Sequence, residues 1–295
     1  MSTNEVAFLS GRIRALEGQQ VSSRFNEEST HISAPVADIS WPAAIREANP
    51  VVSVELVCNP VFDINQRRRV LYREVEPCIR TLDGQRTFIT QFSCHLERIG
   101  IDVPLDIYVI HRALDMLRQN PFWCVGIAPN VSSIEDTTWW AALSVEFGGR
   151  PDLSRRLVIE VAESAALSSN GGRQLRRARR DLGVAIAIRN FGLHYGACVA
   201  MELGRRPDVI KLDPAFVAEN GKEQLHRTAG MVELASDAAP YVVVPGVVGA
   251  EALQLAKRAG ALWIQGEPSV ELGQDRAECL LDSTVDHLRA AQGGL

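Results

Sequence analysis

Four oxygen donors of the kind a magnesium ion favours, Glu76, Asn130, Glu160 and Asp213, are spread along the chain with three cations, Arg80, Arg189 and Lys211, and one amide, Gln265. Gathered at one point, the oxygen donors would make a partial divalent site. Two-metal hydrolysis asks for more, because paired cations sit only about 3.5–4 Å apart and need several carboxylates to offset their repulsion. Arg189 stands where further negative charge would help, and a fixed cation there opposes divalent binding. It could instead pair with Glu160, or meet a ligand phosphate through its planar fork of donors. Lys211 has two open roles. It could orient water or move a proton if its pKa were lowered, or it could pair with a nearby carboxylate. Lys211 and Asp213 are two apart and share a face if their strand continues, whereas Glu160 and Glu163, three apart, do not.

These residues need elements that end at one place. Apolar, β-rich runs occur at 51–58, 70–75, 122–128, 157–161, 184–188, 208–212, 241–244 and 261–264. Segments with an apolar i, i+3, i+4 face separate most of them, among them IYVIHRALDML, IEDTTWWAALSVEF, GGRQLRRARRDLG and GAEALQLAKRAG. Strands alternating with helices fit an α/β (β/α)8 TIM-like barrel, whose chemistry sits at the carboxyl ends of the strands. The first connection, DINQRRR, is too short for a crossover helix, so the first strand is expected to run antiparallel to the second. Glu76, Asn130, Glu160, Arg189 with Asn190, Lys211 with Asp213, Pro245 and Gln265 would then face one mouth. Residues 1–45 are polar and are read as a short N-terminal extension, either a mobile tail or an arm docked on the barrel or a partner. Residues 46–295 are read as the barrel.

The bulk composition narrows the classes. The 295 residues are 46% hydrophobic and 23% charged, with a formal net charge of −5, which argues against a nucleic-acid partner. No apolar run reaches the roughly 20 residues that span a bilayer, so no membrane span is expected. Six scattered cysteines without a CxxC pair suit reduced thiols and a cytoplasmic location. The arginines at 173, 176, 177, 179 and 180 fit a solvated helix face with Leu175, Ala178 and Leu182 turned inward, with protein docking as the alternative. Trp139 and Trp140 are adjacent, so at least one is expected to be partly exposed. His194 in a glycine-bounded loop has no visible partner. His95, His111, His226 and His287 need no special role. No GxGxxG, P-loop or GxSxG motif is present.

In order, the segments NPV (59–61), EPCIR (76–80), PNVSS, EVAES, IRNFG (188–192), VIKLD (209–213), VVPGVVG (243–249) and QG (265–266) resemble the EAL domain across about residues 50–267. The resemblance implies a barrel with an antiparallel first strand, and an activity that hydrolyses cyclic-di-GMP to pGpG with two magnesium or manganese ions. It carries the metal ligands onto Glu76, Asn130 and Glu160 and the water-positioning lysine onto Lys211. The phosphate-contacting arginine falls on Arg80. Arg189 and Asn190 stand where the family has two aspartates, and Pro245 and Val248 where it has two glutamates. These departures give the expectation of a chain that is not an enzyme, with vestigial catalytic and metal residues and no cofactor. It would be a regulatory protein acting on a protein partner in cyclic-di-GMP-linked signalling. One alternative is a metal-independent cyclic-di-GMP receptor, with Arg80, Arg189, Asp213 and Gln265 available to the ligand; another is a residual phosphodiesterase. Homodimerisation is left open, since family members often pair through the barrel.

Overall fold

The computed structural model describes residues 32–35, 53–80, 86–89, 97, 100–193, 198–204, 206–219 and 221–267. Eight strands close into a barrel. They are β2 (Ser53–Asp63), β3 (Val70–Arg80), β5 (Val125–Ile127), β6 (Leu157–Ala162), β7 (Ala185–Phe191), β8 (Val209–Leu212), β9 (Tyr241–Val244) and β10 (Trp263–Gln265). Neighbours from β3 through β10 pair in parallel, and β2 closes the ring by pairing antiparallel with both β3 and β10. The antiparallel first barrel strand follows from its short connection, as the sequence indicates. Two short strands flank the ring: β1 (Ile32–Pro35), from the polar N-terminal stretch, pairs with residues 53–56 of β2, and β4 (Arg86–Phe88) pairs with the end of β3.

Helices cover the outside. α1 (Asp102–Gln119) precedes β5. α2 (Val131–Glu135), α3 (Thr137–Phe147) and α4 (Pro151–Ser154) follow it. α5 (Ser169–Asp181), α6 (Cys198–Leu203), α7 (Lys222–Ala238) and α8 (Gly249–Arg258) complete the shell among the described residues. The strands are buried on both faces, which is why they read as nearly continuous apolar runs. Alternate residues divide the labour. On β6, Val158 belongs to the cluster inside the barrel, with Tyr72, Ala187, Val209, Val243 and Trp263, while Ile159 and Val161 pack outward against helices. On α5, Leu175 and Ala178 are buried, while Arg177 and Arg180 pair with Asp181 on the exposed side.

Three expectations change. Trp139 and Trp140 are both buried, packed edge to face with centroids 4.6 Å apart, and the Trp140 indole donates to the Ile134 carbonyl at 2.7 Å. Adjacent residues can both be covered here because α3 packs against both α1 and α2. The second expected strand does not end at Glu76 but continues to Arg80, supported by β2 on one side and β4 on the other. Cys58 and Cys78 form no disulfide, but Cys124 is disulfide-bonded, against the expectation of reduced thiols throughout. His95, His194 and His287, and the side chain of Arg80, lie outside what the structure describes.

Gly126 on β5 is a packing requirement. A Cβ there would lie 2.7 Å from Tyr72 Cε2 and 3.2 Å from Glu160 Oε1, both fixed inside the barrel. Gly126→Val should destabilise the fold by about 1–3 kcal/mol in urea denaturation; an unchanged midpoint would contradict this packing.

Candidate functional site

The period-2 alternation that buries Tyr72 and Val158 carries inward-facing polar groups at the next positions towards the carboxyl ends of the strands. Glu74 follows Tyr72 on β3, Glu160 follows Val158 on β6, Lys211 follows Val209 on β8, and Gln265 follows Trp263 on β10. They meet. Lys211 Nζ donates to Glu74 Oε2 at 2.5 Å and faces the two Glu160 oxygens at 3.2 and 3.4 Å. Gln265 Nε2 donates to the same Glu74 oxygen at 2.8 Å and to the Asn59 carbonyl at 3.2 Å. Glu160, Lys211 and Gln265 are buried, so this is a charged cluster inside the barrel rather than a solvated rim.

The electrostatics follow from that burial. Burial alone would raise the pKa of Glu74. The charge and hydrogen bond of Lys211, the Gln265 amide and the Arg189 charge outweigh it and hold the carboxyl below the usual range. Glu160 moves the other way, raised by burial and then by the Glu74 charge, against the pull of Lys211 and Arg189. Burial opposes the Lys211 ammonium, but the two carboxylates prevail and its pKa rises. Glu74 is therefore the ionised partner of Lys211, and Glu160 is the carboxyl that more readily keeps a proton. The Tyr72 hydroxyl is fully buried beside Glu160, and its pKa is pushed up by burial and then by the Glu160 and Glu74 charges.

Above the cluster, a cavity of about 180 Å³ is lined by Glu74, Glu76, Asp106, Asn130 and Arg189 on its polar side and by Leu105, Val109, Ile127, Val131, Ile134 and Val161 on its apolar side. Glu76, the glutamate picked out by sequence, lies one step further along the inner face of β3 than Glu74. Its carboxylate accepts from Asn59 Nδ2 at 3.5 Å. Glu74 is the residue that sequence reasoning missed. The hairpin register could have found it, because β2 pairs Asn59 with Glu74, so counting back through the short turn reaches 74 and not 76.

The other sequence candidates divide. Arg189, on the inner face of β7, lines the cavity, and its buried Nε donates to no described group. The next residue, Asn190, has φ 57°, a left-handed turn that asparagine tolerates and that sits in the bulge between Ile188 and Phe191. Glu163 does not enter the mouth; its carboxylate accepts from the Gly192 backbone N–H at 2.9 Å and anchors that bulge. Asp213 is also spent locally. β8 ends at Leu212, and Asp213 caps the 3₁₀ turn Pro214–Val217 by accepting from Ala215 N at 2.9 Å. Asn130 lines the cavity and is held from behind by Asp106, whose own pKa burial pushes up to about 6.

Divalent ions fit this donor set poorly. Glu74 and Glu160 are already bridged by an ammonium, Arg189 adds a second positive charge, and no described group of three or more His, Cys, Asp or Glu residues is spaced to hold a metal. Lys211→Met would leave two buried carboxylates without their counter-charge, at a cost of about 3–5 kcal/mol near neutral pH. The sign with pH is fixed. In the wild type, Glu74 is depressed, so its stabilisation is present above the ordinary glutamate pKa and lost as pH falls. In the variant both carboxyls are raised, so the penalty shrinks on acidification. Urea denaturation across pH checks both, and a penalty that grows on acidification would contradict the ion-pair account.

Comparison with known proteins is informative at the level of family and fold. Residues 44–268 match the EAL domain. No curated protein matches significantly. Among solved structures, the EAL domain of FimX from Pseudomonas aeruginosa bound to c-di-GMP superposes with a TM-score of 0.61 at 24% identity, over 72% of this chain and 87% of that one. An EAL domain protein from Listeria monocytogenes gives 0.61 at 19%, over 72% and 85%. The PaMucR phosphodiesterase in complex with c-di-GMP gives 0.63 at 19%, over 72% and 89%. That last likeness corrects the expectation that the chain is not an enzyme: the same barrel, at the same coverage, is that of a phosphodiesterase, so the fold offers no ground for a flat exclusion. The chain belongs to the EAL domain family.

Proposed function

We propose that this chain is a cyclic-di-GMP-binding member of the EAL family acting in cyclic-di-GMP-linked signalling, and that it takes the nucleotide without a divalent ion. Family membership and the c-di-GMP complexes of FimX and PaMucR supply the ligand class. The observation that carries the reading is Arg189. Its guanidinium lines the cavity above the acidic cluster, and its buried Nε meets no hydrogen-bond acceptor among the described groups, which is the environment a phosphate oxygen relieves. Lys211 supports the same reading by offsetting part of the negative charge of the two carboxyl groups that would otherwise repel an anion from the mouth.

Calorimetric titration of cyclic-di-GMP into the protein, in EDTA and then in magnesium, tests this, with recovered nucleotide analysed for pGpG. The expected result is equal affinity in both buffers. Arg189→Asp should weaken binding in EDTA by about 10–100-fold, the worth of one charge-assisted contact of roughly 1.5–3 kcal/mol. Absence of binding by folded protein in either buffer would overturn the reading. Binding that appears only with magnesium, accompanied by pGpG, would replace it with a metal-dependent phosphodiesterase.

A further inference from the structure

Asp102 and Asp106 lie one turn apart on α1 and are almost fully buried. A carboxylate tolerates that only when hydrogen bonds replace water, and here they come from the segment that follows β5. Asp106 Oδ2 accepts from the Asn130 backbone N–H at 2.7 Å, from Asn130 Nδ2 at 3.1 Å and from Ser133 Oγ at 2.6 Å. Asp102 accepts from the Ser132 hydroxyl. An ionised carboxylate has no proton to give, so the chemistry settles which end of the Asn130 amide faces it. The nitrogen turns towards α1, and the oxygen turns away, at a residue that lines the cavity.

We infer that Asp106 is a positioning residue that locks the Asn130 carboxamide, so that its oxygen rather than its nitrogen is offered to a ligand in the cavity. That selects an N–H or hydroxyl group at this point and rejects a phosphate or carboxylate oxygen, which Arg189 is placed to take instead. The consequence for the ligand rests on the cyclic-di-GMP reading; the lock itself does not. Without Asp106 the amide is free to rotate and present its nitrogen.

The test separates the two. The exchange of the Asn130 side-chain amide protons is followed by nitrogen–proton NMR at mildly alkaline pH, with the signal assigned by its loss in Asn130→Asp. The wild-type protons should exchange at least about tenfold more slowly than those of exposed asparagines, the worth of one hydrogen bond of roughly 1.4 kcal/mol. Asp106→Ala, which removes the accepting oxygen altogether, should abolish that protection. Ser133→Ala removes another bond to the same carboxylate and should leave the protection within about twofold. In calorimetry, Asp106→Ala should lower cyclic-di-GMP affinity about tenfold in protein that stays folded at the assay temperature, and Ser133→Ala should not. Wild-type protons exchanging like exposed ones, or protection that survives Asp106→Ala, would overturn the lock. If the wild type binds no cyclic-di-GMP, the exchange result still decides the lock, while the nucleotide reading fails alone. Should Asp106→Ala not fold, the wild-type rate against exposed asparagines decides it.

Discussion

A single ammonium group set between two carboxylates inside a closed barrel constrains most of what lies around it. Lys211 comes from β8, Glu74 from β3 and Glu160 from β6, three strands separated in sequence by up to 137 positions. Burying these charges is costly, and Lys211 offsets the cost only while all three strands keep their register. A slip of one residue on any of them would turn its charged side chain out against the helices and an apolar one in. The cluster is thus a register pin as well as the floor of the cavity.

The same constraint accounts for features that look unrelated. Gly126 on β5 gives up its side chain so that the Tyr72 ring and the Glu160 carboxylate can share the space between β3 and β6. Gln265 spans from Glu74 to the Asn59 carbonyl and so ties the last strand to the antiparallel first one, closing the ring where its hydrogen-bond pattern changes direction. Arg189 sits one step above the floor and lowers the electrostatic cost of both carboxylates without hydrogen-bonding to either.

Much of this was legible in the sequence because each signal was local. The short DINQRRR link forces an antiparallel pair, and the apolar runs alternate with amphipathic helices at barrel spacing. Glu160, Arg189, Lys211 and Gln265 fall at strand ends that the runs themselves mark. Glu74 was hidden by a different kind of fact. Tyr72, Glu74 and Glu76 all share the inner face of β3, so periodicity does not choose between the two glutamates; only the hairpin register does. Asp213 was misjudged because a two-residue spacing was extended past the point where β8 ends and a 3₁₀ turn takes the carboxylate as its cap. The Asp106–Asn130 contact joins residues 24 apart on a helix and a loop, and no periodicity announces it.

The account turns on Lys211 and Arg189 supplying the positive charge at the mouth, the place that the family resemblance gives to metal ions. Manganese titration followed by electron paramagnetic resonance addresses this most directly, because free and bound manganese give different signals. The account predicts that the wild-type protein leaves the free-manganese signal unchanged up to about millimolar metal, a bound state worth less than roughly 4 kcal/mol. Stoichiometric loss of that signal at micromolar metal, reversed by Glu74→Gln or Glu160→Gln, would contradict it.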